Sequence, residues 1–175
     1  MNQITSKVCV VGDFAVGKTS VVERYVNNQF SEKYLTTVGV KVDTKEIDLP
    51  HRDIRQKLII WDVAGTDRFG DTEFAYLRGA SGYIFVADGT RPHTLTTVLD
   101  IRERIEQKYG SKVAVLLINK HDLSAQWEVS TERFETLAAE FDAAYLTSAR
   151  TGAEVEAALA RLADLIVDQV IADSQ

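Results

Sequence analysis

Residues 12–19 have the spacing of a loop that binds phosphate groups. Their letters, GDFAVGKT, fit the pattern G-x-x-x-x-G-K-[ST] and follow an apolar run that ends at Val11. Glycine lets such a loop curl until successive backbone N–H groups face one phosphate, and the dipole of the following helix adds attraction. Lys18 would supply a charge to the β- and γ-phosphates, and Thr19 would supply an oxygen ligand for Mg²⁺.

A second motif, WDVAGT at residues 61–66, follows an apolar strand pattern. Asp62 is the carboxylate expected near a phosphate-bound Mg²⁺, and Gly65 lets a backbone N–H approach the γ-phosphate. The pattern D-x-x-G is common by chance, so its weight comes from its position one strand pair after the phosphate loop.

The segment NKHD at residues 119–122 indicates a base pocket. The carboxylate of Asp122 can accept hydrogen bonds from the ring N–H and the exocyclic amine of guanine, a pair of donors that adenine lacks. The stem of Lys120 can cover the base, while Asn119 either pairs with the base or ties this loop to the phosphate loop. The small residues Ser148 and Ala149 would admit a backbone N–H to the base carbonyl.

The elements that position these motifs alternate along the chain, which predicts an α/β fold around a mostly parallel sheet. Loops at the carboxyl ends of such strands bind ligands, and the motifs fall on those loops. Strands are predicted at 7–11, 38–49, 57–62, 82–87, 112–119 and 144–146, with the second and third antiparallel. Helices are predicted at 18–27, 93–109, 131–140 and 153–170, with a shorter one near 71–77.

Composition excludes several classes of partner. The chain has 175 residues, enough for one domain, and 26 acidic against 20 basic side chains give a net charge of −6, which disfavours nucleic acid. Cys9 is expected to be a buried small residue. His51, His93 and His121 are scattered surface positions that do not suggest a transition-metal site.

The four motifs, in this order and spacing, resemble those of the small GTPases of the Ras superfamily. The Rab or Rab-like branch fits best, through TVGV at 37–40, IWD at 60–62 and YLRGA at 76–80. The resemblance implies a P-loop NTPase fold with a six-stranded, mostly parallel sheet, one antiparallel edge hairpin and helices on both faces. It also implies a monomeric switch that binds GTP or GDP with Mg²⁺ and hydrolyses GTP slowly.

The resemblance assigns roles to individual residues. Catalysis would involve Lys18, Thr37, Gly65 and Thr66, and the Mg²⁺ ligands would be Thr19, Asp62 and, with the γ-phosphate present, Thr37. Further nucleotide contacts would come from Asp13, Phe14, Ala15, Val16, Gly17, Ser20, Phe30, Tyr34, Asn119, Lys120, Asp122, Leu123, Ser148, Ala149 and Arg150. Effectors, exchange factors and activating proteins would bind residues 30–42 and 64–77.

The chain departs from the family pattern at several positions. Thr66 stands where the family has the glutamine that orients the attacking water, and a short β-branched hydroxyl cannot replace that amide. Phe14 replaces a small residue, and it would either obstruct an arginine finger or pack against the second switch. Val42 replaces a phenylalanine of the Rab effector triad, whose other members match Trp61 and Tyr76, so effector specificity should differ.

The end of the sequence lacks the prenylated cysteines of Rab proteins. We therefore expect no direct lipid anchor in this chain and a cytoplasmic location, with membranes reached through partners or through a tail that this sequence lacks. Two alternatives remain open: a GTP-locked scaffold with negligible hydrolysis, and a phosphotransferase or ATPase of the same loop class.

Overall fold

The structure, a computed structural model, describes residues 1–30, 39–63 and 74–175. The strands are β1 (Asn2–Gly12), β2 (Val40–Leu49), β3 (Ile54–Val63), β4 (Gly82–Asp88), β5 (Val113–Asn119) and β6 (Ala143–Leu146). The helices are α1 (Lys18–Asn27), α2 (His93–Tyr109), α3 (Thr131–Glu140) and α4 (Val155–Asp173), with 3₁₀ turns at Pro50–Arg52 and Ser124–Gln126.

The strands form one six-stranded sheet in the order β2-β3-β1-β4-β5-β6. Only β2 and β3 pair antiparallel; the other neighbours are parallel. The predicted fold class and the antiparallel hairpin are confirmed. The turn at Pro50–Arg52 is too short for a helical crossover, and Asp53 closes it in the left-handed conformation with φ 53°.

Successive side chains of β1 enter two separate apolar layers. Val8 and Val10 pack in the layer that holds the apolar faces of α1 and α4, whereas Cys9 and Val11 pack in the layer under α2 and α3. Strands β4 and β5 are buried along their whole length. Helices therefore cover both faces of the sheet. The loops that carry the motifs follow the carboxyl ends of its strands.

The predicted bounds of α1, α2 and α3 are confirmed, and those of the other elements shift at their ends. Helix α4 begins at Val155 instead of residue 153 because Glu154 adopts a left-handed φ of 62°. Strand β1 begins at Asn2 because pairing with β3 starts there. Of the predicted short helix, Phe74 and Ala75 are helical and residues 71–73 lie outside the described residues.

No described helix combines the length and the apolar character needed to cross a membrane. His51, His93 and His121 are all exposed, as predicted. Cys9 is fully buried, also as predicted, and its Sγ lies 3.6 Å from the carbonyl oxygen of Tyr76.

Burial makes the Cys9 thiol chemically inert in the folded chain. It raises the pKa of Cys9 to about 12, so at pH 8 only ~1 thiol in 10,000 is the reactive thiolate. We expect no measurable reaction with a thiol-specific disulfide reagent at pH 8 over an hour. The same chain in guanidinium chloride should release one equivalent of chromophore, and rapid labelling of the native chain would contradict the buried position.

Candidate nucleotide-binding site

Two residues at the carboxyl end of β5 bind carbonyl groups on the outside of the phosphate loop. Asn119 Nδ2 donates to the carbonyl oxygen of Val16 at 3.0 Å, and Lys120 Nζ donates to that of Ala15 at 2.9 Å. A trans peptide is planar, so its N–H points opposite to its carbonyl. Holding these carbonyls outward turns the N–H groups of the following residues to the opposite side, where a phosphate would lie.

The side chain of Lys18 lies inside the loop. Its Nζ donates to the carbonyl oxygen of Asp13 at 2.9 Å, and the side chain is buried. Burial lowers the pKa of Lys18 to about 8, although the carboxylates of Asp62 and Asp13 favour its charged form. A buried ammonium group whose hydrogen-bond partner among the described residues is a carbonyl can gain from the negative charge of phosphate oxygens.

Glycine is required at both ends of the loop. A Cβ on Gly12 would lie 2.2 Å from the carbonyl oxygen of Val86, and one on Gly17 would lie 2.3 Å from Asn119 Nδ2. Gly17 also has a φ of 100° and precedes α1 without any side-chain cap. The first turn of a helix is where backbone N–H groups can bind an anion, and this helix starts at the end of the phosphate loop.

Two oxygen ligands meet beside this helix start. Thr19 Oγ1 lies 2.5 Å from Asp62 Oδ2, and Asp62 is fully buried at the carboxyl end of β3. A hydroxyl and a carboxylate that converge next to a phosphate loop are the donor types that Mg²⁺ prefers. The residues present therefore fit a magnesium ion, and the predicted third ligand, Thr37, lies outside the described residues.

The loops that follow β5 and β6 are joined to form the base side of the site. Asn119 Oδ1 accepts hydrogen bonds from Thr147 Oγ1 and from the N–H of Ala149, both at 3.2 Å. Asp122 Oδ1 accepts from Ser148 Oγ at 2.8 Å, while Asp122 itself is exposed. Asn119 therefore ties the base loops to the phosphate loop, which is one of the two roles predicted for it.

Asp88, at the carboxyl end of β4, is a site residue that the sequence analysis missed. Its Oδ2 lies 2.9 Å from Lys120 Nζ and 3.0 Å from Arg91 Nε, and the side chain is buried. Burial raises the pKa of Asp88, but hydrogen bonds from Thr90, Lys120 and Arg91 outweigh that effect and hold it below its ordinary value. The sequence signal that could have identified Asp88 is a carboxylate at the end of an otherwise apolar strand.

Arg24 on α1 is the second missed residue. Its Nε donates to the carbonyl oxygen of Ala149 at 2.8 Å, and its Nη2 donates to that of Arg150. The helix that begins at the phosphate loop therefore also anchors the loop predicted to contact the base. No spacing rule indicated this contact, because the partners are 125 residues apart in the chain.

Trp127 closes the outer side of the base loop. Its ring lies against Gly89, where a Cβ would be only 2.0 Å from the ring, and its centroid is 4.7 Å from that of His121. The N–H of Glu128 donates to the carbonyl oxygen of Gly89 at 2.8 Å. The segment after β4 and the segment after β5 are thus packed directly against each other.

The predicted interaction segments are only partly described. Of residues 30–42 the structure describes 30 and 39–42, and of residues 64–77 it describes 74–77. Trp61 and Tyr76 contact each other with ring centroids 6.3 Å apart, and Val42 is exposed opposite Trp61 on the hairpin. The three positions of the predicted effector triad therefore share one surface.

The backbone of residues 74–78 is held by side chains from the sheet and from α2. Tyr109 Oη donates to the carbonyl oxygen of Phe74 at 3.1 Å, and Tyr83 Oη donates to that of Leu77 at 3.0 Å. Lys7 Nζ donates to the carbonyl oxygen of Arg78 at 2.7 Å. The carboxyl end of the predicted second switch is thus fixed to the scaffold.

Most predicted site residues lie at this sheet edge, and four fall outside the described residues. Those four are Tyr34, Thr37, Gly65 and Thr66. Phe30 follows α1 and is 37% exposed, and Phe14 is 46% exposed. The other predicted residues flank the contacts described above: Ser20 in α1, Leu123 after the base loop and Arg150 beside Ala149.

Comparisons with known proteins agree with this geometry. A sequence model of the Ras family matches residues 7–168. Human Ras-related protein Rab-8B is 35% identical over 159 residues, which are 90% of this chain and 76% of that protein. Ras-related protein Rab-3C of Bos taurus is 32% identical over 94% of this chain and 72% of its own length. Ras-related protein Rab-1 of Theileria parva is 35% identical over 94% of this chain and 75% of its own length.

The base pocket can be tested by changing Asp122→Asn. The amide keeps the hydrogen bond from Ser148 available but replaces an acceptor for the guanine amine with a donor. We expect GDP to bind roughly 100-fold more weakly, since a charge-assisted hydrogen bond is lost and a donor faces a donor, while xanthosine diphosphate should bind more tightly. Fluorescence titration of both nucleotides measures the change.

Asp100→Asn is the matched control, because Asp100 is exposed on α2 away from the site. It should leave both affinities unchanged. An Asp122→Asn variant that keeps the same preference between the two bases would contradict the assignment of the base pocket.

Proposed function

This chain belongs to the Ras family, and from that premise we propose that its residues at the carboxyl edge of the sheet hold GTP or GDP in a nucleotide-dependent switch. The chain is a guanine-nucleotide-binding GTPase that acts as a molecular switch in signalling or trafficking. The observation that carries the assignment of residues is their convergence. The phosphate loop and the base loops meet through Asn119, and the Thr19–Asp62 pair lies at the start of the helix that follows the phosphate loop.

We propose that Thr19 and Asp62 hold Mg²⁺ and that Thr37 joins them when the γ-phosphate is bound. When bound, the ion would neutralise charge on the β- and γ-phosphate oxygens. The short distance between Thr19 Oγ1 and Asp62 Oδ2 supports this ligand pair, because both oxygens already face one position.

Transition-state stabilisation is proposed for Lys18 and Gly65. Lys18 would contact the transferring phosphoryl group with its ammonium, and Gly65 would offer a backbone N–H to it. Thr66, which replaces the family glutamine, leaves the attacking water poorly oriented. Unaided hydrolysis should therefore be slow, and an activating partner would have to overcome both Thr66 and the side chain of Phe14.

Regulators and effectors act on this chain as on other members of the family. We propose that they bind residues 30–42 and 64–77 and that Val42 alters the choice of effector. We also propose that residues 1–175 form one nucleotide-binding domain and that this domain acts as a monomer in the cytoplasm. Because the net charge is −6, attachment to an anionic membrane would depend on partners or on a lipid-modified tail.

Neither rival function is favoured. A protein that keeps GTP only as a structural ligand need not retain Lys18, Thr19 and Asp62 together, and the Ras family, to which the chain belongs, consists of GTPases. An ATPase would lack a use for Asp122, whose carboxylate suits the two adjacent donors of guanine.

Single-turnover hydrolysis tests the role of Thr66. Chain preloaded with GTP and Mg²⁺ should release phosphate at or below about 10⁻⁴ s⁻¹, the low end expected without a supplied arginine. Thr66→Gln should be faster, because its amide can orient the attacking water. Phosphate release is followed with a fluorescent phosphate sensor.

Thr136→Gln makes the same change on the exposed face of α3 and should leave the rate unaltered. A rate near one per minute in the unchanged chain would show that another group orients the water.

A further inference from the structure

Arg91 bridges the buried carboxylate of β4 and the phosphate loop. Its Nε lies 3.0 Å from Asp88 Oδ2, and its Nη2 donates to the carbonyl oxygen of Phe14 at 2.8 Å. The guanidinium is planar, so two donors on one edge can make both contacts at a fixed separation. Nothing in the sequence motifs indicated this contact, because Arg91 and Phe14 are 77 residues apart.

Asp88 binds two cationic side chains, and each of these also donates to a carbonyl group of the phosphate loop. Thr90 donates to Asp88 Oδ1 through its N–H at 2.8 Å and through its hydroxyl at 2.7 Å, which leaves Oδ2 for the cations. Arg91 and Lys120 both contact that oxygen, and they donate in turn to the carbonyls of Phe14 and Ala15. The carbonyl groups on both sides of the Ala15 Cα are thus held through one carboxylate.

Ala15 has a backbone conformation that alanine rarely adopts. Its φ of 61° lies in the left-handed region, where the Cβ of an L-residue crowds the following carbonyl oxygen. Such a conformation persists where the surrounding contacts over-determine it. The contacts from Arg91 and Lys120 supply this restraint, since each fixes one of the two peptide planes that flank Ala15.

We propose that Arg91 is a positioning residue for the bound nucleotide. By holding the carbonyl of Phe14 outward, it turns the N–H of Ala15 toward the phosphates and slows nucleotide release. Arg91 acts through the backbone of the loop, because its Nε contacts Asp88 and its Nη2 contacts the carbonyl of Phe14. This inference rests on the proposed nucleotide site.

Nucleotide release from Arg91 variants tests the inference. A fluorescent GDP analogue is loaded with Mg²⁺ and chased with excess GDP. Arg91→Gln should release it roughly 10-fold faster, as expected for loss of a hydrogen bond from a charged donor. Arg91→Lys keeps the charge but cannot reach both Asp88 and Phe14, so its release should also be faster than that of the unchanged chain.

Arg55→Gln is the matched control. Arg55 makes a comparable fork to Asp48 on the β2–β3 hairpin, through Nε at 2.7 Å and Nη2 at 3.4 Å, and should leave release unchanged. Thermal unfolding followed by circular dichroism establishes that each variant is folded before release is measured.

Ala15→Gly provides a readout that a general loss of stability would not produce. Glycine adopts a positive φ without strain, so it should need less restraint from Arg91. In the Ala15→Gly background, Arg91→Gln should accelerate release only about 2- to 3-fold, and the difference from the native background measures the coupling of the two residues.

Three results would overturn the inference. One is release from Arg91→Gln at the rate of the unchanged chain, and another is an equal acceleration in both backgrounds. The third is a 10-fold loss of single-turnover hydrolysis with release unaltered, which would make Arg91 act on the phosphates directly. Failure of the unchanged chain to bind the analogue would instead disprove the nucleotide site, and this inference with it.

Discussion

The site depends on one constraint, the planarity of the peptides in the phosphate loop. A planar trans peptide cannot turn its carbonyl without turning its N–H, so fixing the carbonyls from outside determines what the inside of the loop presents. Phe14, Ala15 and Val16 have their carbonyls held by Arg91, Lys120 and Asn119, respectively. The preceding peptide is reversed: the carbonyl of Asp13 accepts from Lys18, and the N–H of Phe14 donates to Asp13 Oδ1 at 2.7 Å. The alternation places a cation and a row of N–H groups where a phosphate would lie.

The sheet supplies the groups that hold these carbonyls. Asp88 and Asn119 are directly paired where β4 and β5 end, and the N–H of Gly89 donates to the carbonyl oxygen of Asn119 at 3.0 Å. Both strands are buried throughout, so their ends are rigid and their register is well defined. Because β1 pairs with β4, the loop that follows β1 starts beside these two polar residues. The packing of the core therefore determines the spacing of groups that recognise an anion at its edge.

The sequence predicted the elements well where periodicity and local chemistry act together. Helices α1 and α2 have the predicted bounds because their apolar spacing is regular and glycine stands at one end of each. The start of α4 was misplaced because the left-handed conformation of Glu154 is not typical of its residue type. At the site, motifs predicted the groups expected to face a nucleotide, but Asp88, Arg91 and Arg24 make contacts with residues far away in the chain. Those contacts depend on which strand ends become neighbours, and local patterns carry no information about that.

The site contains several features that are individually unfavourable. Lys18 is buried with a lowered pKa, and Ala15 is held at a positive φ. The start of α1, which no described side chain caps, adds the positive end of the helix dipole. A bound phosphate would relieve the first and the last of these, because its negative charge favours the charged form of Lys18 and the positive end of that dipole. The strain at Ala15 remains, and contacts outside the pocket compensate for it. The core and the contacts of Asp88 with Arg91 and Lys120 therefore stabilise a loop conformation that suits an anion. Ligand binding does not have to supply the free energy of arranging that loop.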